Sequence, residues 1–261
     1  MSWFTVHTLQ GQAEGKIRLD TVRAVIFDLD DTMYNYRAAD EAAFAAVADY
    51  AKKRFGLEME KTRELHDRCF ARQKRELGEN QAGIHSRIVR FEKLLEELKK
   101  PVFPHALNMT DLYWNTFLDN MTPEPGITEL LRVLRLRGIQ TAVGTNMTSY
   151  IQYRKITKLG IGQYIDMVCT SEEAGAEKPG LKFFLFLLTK LGRAPGECVY
   201  IGDNARRDYE GAEQAGIPAV WYAARPGVHP EEEAKTVRRI TDYSSCLKED
   251  GINLGGIFIP Y

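Results

Sequence analysis

The sequence predicts an α/β protein: a doubly wound parallel sheet with helices on both faces, interrupted once by a wholly helical insert. Three observations carry this reading. Short apolar runs recur at 22–29, 140–144, 167–170, 198–201 and 219–222, and continuous apolar runs of this length mark strands buried on both faces. Helical stretches at 127–137, 149–159, 181–191 and 208–215 lie between these runs, and each is followed by a glycine, the residue that most readily adopts the left-handed conformation ending a helix. Strand and helix alternating in this way predict right-handed crossovers into one parallel sheet. Third, residues 36–121 contain no strand pattern at all.

That middle segment reads as four helices, at 37–54, 58–77, 84–99 and 107–120, separated by Gly56, by GENQAG and by KKPVFP. In the third, Ile84, Ile88, Phe91, Leu95 and Leu98 recur at helical spacing and predict one packed face. MTPEPG at 121–126 carries two prolines and a glycine and reads as a stiff return linker. The expected organisation is a discontinuous α/β core, residues 1–35 with 122–261, around a helical insert at 36–121. After Arg225 the pattern weakens. RPGVHPEEE reads as a turn leading into an acidic helix start, and LGGIFIPY as a packed tail or an edge strand.

Composition narrows the function. The chain has 261 residues, 44% of them apolar, with 35 Lys+Arg against 36 Asp+Glu. A near-zero net charge offers no basic footprint for nucleic acid, so a small-molecule partner is expected. Cys69, Cys169, Cys198 and Cys246 have no CxxC or other ligand-like spacing and read as free thiols. No leader-like N-terminus and no apolar run of membrane-spanning length is present, so a cytoplasmic address without membrane attachment is expected. Oligomeric state cannot be read.

Polar signatures stand at the ends of four of the apolar runs. In IFDLDDTMY, Asp28 and Asp30 are two residues apart, and on an extended chain such residues project to the same side, about 6.6 Å apart. Carboxyl ends of parallel strands line the ligand crevice, so one carboxylate can attack while the other handles a proton. The plainer alternative is a turn or a helix cap, but acids this crowded need a cation to be tolerated. VGTN places Thr145 and Asn146 at a strand end, where hydroxyl, amide and backbone N–H groups can cradle an anion or simply cap a helix. Lys178, before Pro179, can neutralise a phosphate and a carboxylate together, or can be an ordinary surface lysine. GDN at 202–204 with Asp208 supplies carboxylates of the kind that hold Mg²⁺, or makes a turn and opens a helix. Caps and turns explain each one separately better than they explain all four together.

DLDDT at 28–32, TN at 145–146, KP at 178–179 and GDN with Asp208 resemble, in order and spacing, the four motifs of the haloacid dehalogenase-like (HAD) hydrolase superfamily, over about residues 22–222. The helical insert between the first two motifs is similar to that superfamily's helical-cap type, and the fold implied is a Rossmann-like core with an inserted cap. The resemblance implies Asp28 as nucleophile and Mg²⁺ ligand, Asp30 as general acid and base with its backbone carbonyl on the metal, Thr145, Asn146 and Lys178 on the phosphate, Asp203 as metal ligand, and Asp208 in or beside the metal site. Gly180 stands where the family often has Asp or Asn.

The expected activity is Mg²⁺-dependent hydrolysis of a small phosphorylated metabolite through an aspartyl-phosphate, leaning to the nucleotidase and acyl-sugar-phosphatase branches. Asp30 argues against a dehalogenase, which lacks that second carboxylate. A phosphomutase, a phosphorylatable receiver-like module and a catalytically idle relative are the competing readings. Selectivity is expected from the insert, where His85 precedes Arg87 and Arg90 and one of the two arginines is the candidate to reach the leaving group; solvated surface charge is the alternative for both arginines.

Overall fold

The computed structural model describes residues 17–18, 22–224 and 238–261. After the short strand β1 (Ile17–Arg18), β2 (Ala24–Phe27) enters the main sheet and the chain leaves it for four helices, α1 (Tyr36–Phe55), α2 (Met59–Leu77), α3 (Arg87–Glu97) and α4 (His105–Asp119). It returns through α5 (Ile127–Leu136), β3 (Gln140–Thr145), α6 (Ser149–Lys158), β4 (Met167–Thr170), the single turn α7 (Ser171–Ala174), α8 (Leu181–Leu191) and β5 (Cys198–Gly202). A wide π-type turn at Ala205–Glu210 runs into α9 (Gly211–Gln214), and β6 (Ala219–Tyr222), β7 (Arg239–Ile240), β8 (Gly251–Leu254) and β9 (Ile257–Pro260) complete the described chain.

The main sheet has the order β4-β3-β2-β5-β6-β7, and every neighbouring pair is parallel. The successive residues of β2 alternate between two apolar layers. Val25 and Phe27 join the layer shared with α5, and Ala24 and Ile26 the layer shared with α8. Burial on both faces is what a strand without polar positions requires. Because β2 pairs with β3 on one side and β5 on the other, successive connections diverge there. The crevice opens at the carboxyl ends of β2, β3 and β5.

The helical segment leaves and returns at one place: Tyr34 pairs with Pro123 in an isolated bridge, and the Glu124 N–H donates to the Met33 carbonyl at 2.9 Å. Asn35 caps α1, its side-chain oxygen accepting from the Ala38 N–H. Small buried residues along α1, among them Ala39, Ala43 and Ala51, let α4 approach closely with Met109, Tyr113 and Phe117.

Two expectations need correction, and of the two readings of the tail the packed tail holds while the edge strand on the main sheet does not. The third insert helix starts at Arg87, capped by the Ser86 hydroxyl, and not at Ile84. Starting there, its packed face comprises Arg87, Arg90, Phe91, Leu94 and Leu95, and Ile88 is exposed. The fourth-motif helix begins at Ala205 as a π-type turn, ahead of the expected start at Asp208. The tail does not extend the main sheet: β8 and β9 form an antiparallel hairpin that pairs with β1 in a separate three-stranded sheet, and the main sheet ends on β7. The turn and acidic helix start expected after Arg225 lie outside the described residues. All four cysteines are buried and unpaired. Among the described residues no helix is long and apolar enough to cross a membrane.

Candidate active site

Asp28 is the first residue past β2, fixed there by its backbone N–H, which donates to the Ile201 carbonyl at 2.8 Å. It is 6% exposed. One carboxylate oxygen accepts from Lys178 Nζ at 2.6 Å, the other from the Thr32 hydroxyl at 3.3 Å. Burial pushes its carboxyl up to about 6, against the pull of Lys178 and with a further push from Asp208 and Asp30.

Lys178 is no surface lysine. It is 5% exposed, and Nζ donates to Asp28 and Asp208, each at 2.6 Å, to the Tyr200 hydroxyl at 2.9 Å and to the Gly144 carbonyl at 3.1 Å. Burial alone would lower its pKa, but the two carboxylates hold it well above the ordinary lysine value. The loop carrying it is tied down by Asn146, whose side-chain oxygen accepts from the Lys178 N–H at 2.9 Å while its amide donates to Glu177 and to the Lys178 carbonyl. Asn146 therefore borders the cleft with its amide group engaged on the lysine loop.

Asp28, Asp203 and Asp208 each offer an oxygen within 4.8 Å of the others. Burial together with Asp208 and Asp28 raises Asp203 well above the ordinary carboxylate range. Three converging carboxyl groups present hard oxygen donors of the kind that fit a hard divalent cation. The Asp208 carboxylate also accepts the Asn204 N–H at 3.0 Å, so it holds both the lysine and the fourth-motif turn.

Asp30 stands apart from this cluster. One of its oxygens accepts from Lys155 Nζ at 2.7 Å and from the Tyr34 hydroxyl, and the other faces Gln152 Nε2 at 3.4 Å. Burial would raise its pKa, but Lys155 and these donors hold it below the ordinary value. Thr145 ends β3, with its hydroxyl donating to the Asn146 carbonyl at 3.2 Å and accepting from Gln152 Nε2 at 2.6 Å.

These groups line a cleft of about 330 Å³. From the helical segment, Tyr36, Arg37 and His85 reach it, and His85 Nε2 lies 2.9 Å from Glu177 beside the Lys178 loop. Arg87 and Arg90 do not line it. Arg87 is buried among the Tyr36 hydroxyl (2.9 Å), the Tyr113 hydroxyl (3.0 Å) and Asp40 (3.8 Å), and Arg90 donates to Gln73 and to the Ile84 carbonyl. In this arrangement neither arginine reaches the cleft and neither is a solvated surface charge. They satisfy polar groups inside the insert.

Tyr200, Gln152 and Lys155 hold groups of the site from outside the four motifs. Gln152 and Lys155 did leave a trace, since they share the buried face of α6 with Ile151 and Ile156, where polar side chains need internal partners.

Comparison with known proteins agrees with this geometry. The family model described as haloacid dehalogenase-like hydrolase matches residues 22–216. A ribulose-1,5-bisphosphate 5-phosphatase of Halopiger xanaduensis is 34% identical over 201 residues, 76% of this chain and 84% of that protein. A glyceraldehyde 3-phosphate phosphatase of Methanopyrus kandleri is 31% identical over 224 residues, 85% and 92% of the two chains. Among solved structures, a HAD phosphatase from Thermococcus onnurineus superposes with a TM-score of 0.66 at 23% identity, covering 86% of this chain and 95% of that one. With strand ends, carboxylates and relatives in agreement, the chain belongs to the haloacid dehalogenase-like hydrolase family and is a hydrolase of its phosphatase type.

Proposed function

We propose that the protein is an Mg²⁺-dependent phosphomonoesterase that transfers the phosphoryl group of a small phosphorylated metabolite to Asp28 and then to water. The observation that carries this is the Asp28 carboxylate at the floor of the cleft, 2.6 Å from Lys178 Nζ and within a three-carboxylate cluster. A phosphate dianion and an attacking carboxylate repel each other. Mg²⁺, when held by Asp28, Asp203, the Asp30 carbonyl and the nearby Asp208, supplies the positive charge that offsets this repulsion.

The chain's own residues do the rest. Lys178, fixed by Asp208 and Tyr200, neutralises charge on the transferring group, and the Thr145 hydroxyl turns from the Asn146 carbonyl to a phosphoryl oxygen. Asp28 attacks in line, and Asp30 gives a proton to the leaving oxygen and later takes one from the attacking water. Residues 36–121 act as a cap, bringing Tyr36, Arg37 and His85 over the part of the substrate that is not phosphate. A cleft of this size suits a small metabolite. The relatives named for ribulose bisphosphate and glyceraldehyde 3-phosphate favour a sugar-type phosphate over a nucleotide. No observation favours the phosphomutase or receiver-like alternatives. The test is hydrolysis of a panel of phosphorylated sugars and nucleotides with Mg²⁺ and with EDTA: Mg²⁺-dependent release of phosphate is expected, and full turnover in EDTA would overturn the reading.

A further inference from the structure

Lys155 is 0% exposed, and a buried ammonium is costly unless it is paired. Its anionic partner is Asp30, at 2.7 Å. Around Nζ stand the rings of Tyr34, Tyr36, Trp114 and Phe117, with centroids 5.3 to 5.9 Å away, close enough for cation–π attraction. Tyr36 belongs to α1, and Trp114 and Phe117 to α4, so the insert walls in a lysine carried by core helix α6.

The two oxygens of Asp30 are unequal. Oδ1 takes both Lys155 and Tyr34, while among the described residues Oδ2 has only the long Gln152 contact at 3.4 Å. The same Gln152 amide donates to Thr145 Oγ1 at 2.6 Å and to the Asn146 carbonyl at 3.0 Å, which ties the α6 pair to the phosphate side of the cleft.

We propose that Lys155 is a positioning residue: with Tyr34 it occupies Asp30 Oδ1 and so leaves Oδ2 as the oxygen that exchanges the proton with the leaving group. This rests on the phosphatase reading above. With Asp30 protonated on Oδ2 when the substrate is bound, an oxygen of Asp28 bonds to phosphorus, the bond from phosphorus to the leaving oxygen breaks with its electron pair on that oxygen, and that oxygen takes the proton from Oδ2, leaving Asp30 as the carboxylate. In the second step Oδ2 takes a proton from the water whose oxygen bonds to phosphorus and displaces Asp28. Lys155 itself transfers nothing.

The test compares kcat/KM of the full-length protein on p-nitrophenyl phosphate and on glycerol 2-phosphate in Mg²⁺, for the parent, Lys155→Met, Asp30→Asn and the double variant. General-acid assistance is worth about 10²–10⁴-fold on poor leaving groups. Lys155→Met is expected to lose at least tenfold more on the alkyl ester than on the p-nitrophenyl ester, mainly in kcat, and to cost less than about twofold in the Asp30→Asn background. Equal losses on the two esters, or an undiminished loss beside Asp30→Asn, would overturn the assignment and leave Lys155 as packing. Should Lys155→Met fail to fold, Tyr34→Phe removes the other Oδ1 donor without a change of charge. The same leaving-group bias is expected from it, and its absence overturns the proposal. A parent inactive on both esters would overturn the phosphatase reading first, and this assignment with it.

Discussion

Gly202, the last residue of β5, tests the acidic cluster without altering any of its groups. A Cβ built there would lie 2.4 Å from Asp208 Cβ and Cγ and 2.6 Å from its Oδ2. Ordinary carbon contacts begin near 3.5 Å, so Gly202→Ala overlaps the aspartate by about 1 Å. The backbone at Gly202 does not have positive φ, so an alanine there is strained only by this contact. Asp208 cannot yield freely, because its oxygens are held by Lys178 at 2.6 Å and by the Asn204 N–H at 3.0 Å. Overpacking of this kind costs about 1–3 kcal/mol, which for a chain of this size lowers Tm by roughly 2–10 °C. Displacing Asp208 also frees Lys178 from one of its two carboxylates, so the Mg²⁺ concentration for half-maximal turnover should rise by about tenfold or more. Thermal unfolding with and without Mg²⁺ and a metal titration of activity read both effects. A variant with parental Tm and parental metal dependence would refute the reasoning, because it would show Asp208 to be loosely held.

Arg87→Met should act on stability and not on the choice of substrate. Removing hydrogen bonds to Tyr36, Tyr113 and the His85 carbonyl beside a part-buried Asp40 costs about 3 kcal/mol, while the ratio of kcat/KM between a sugar phosphate and p-nitrophenyl phosphate stays near parental. A changed ratio would return Arg87 to the leaving group. His66 gives a pH dependence: burial, then neighbouring Arg90, pull its imidazole from 6.5 down to about 4, with Phe44, Phe91, Asp67 and Arg87 around it. The unfolded chain therefore binds a proton below pH 6.5 that the folded chain takes up only near pH 4, so the stabilisation is complete above 6.5 and is lost on the way down to 4. From pH 7 to pH 5 the loss is about 2 kcal/mol, and in urea unfolding His66→Gln should lose less by that amount. Equal losses in parent and variant would remove His66 from the account.

The parallel sheet and the placing of Asp28, Thr145 and Asp203 were legible because these residues stand at the ends of apolar runs, and parallel topology puts such ends on one edge; Lys178 and Asp208 lie farther along, in the loop after α7 and in the π-type turn, and were legible through the spacing of their motifs. The clamp around Asp30 was much less so. Lys155 and Gln152 lie on a helix whose apolar positions are sparse, and what makes them part of the site is a partner more than 120 residues earlier in the chain. Arg87 and Arg90 were misjudged because the stripe was drawn through Ile84 and Ile88, whereas α3 begins after Ile84 and packs the neighbouring stripe, which turns Arg87 toward two tyrosines and Asp40 and Arg90 toward Gln73 and the Ile84 carbonyl, partners no local pattern announces. The tail hairpin pairs with β1 across nearly the whole chain, a contact with no local signature.

The central claim is that Asp28 takes the phosphoryl group, and it can be measured directly. The parent protein is mixed with a turned-over phosphomonoester and Mg²⁺, quenched in acid within one turnover, digested and mapped by mass. The account predicts one added phosphoryl group on the peptide carrying Asp28, absent in Asp28→Asn and absent when EDTA replaces Mg²⁺. Phosphoryl mass on any other residue, or rapid turnover by Asp28→Asn, would contradict it.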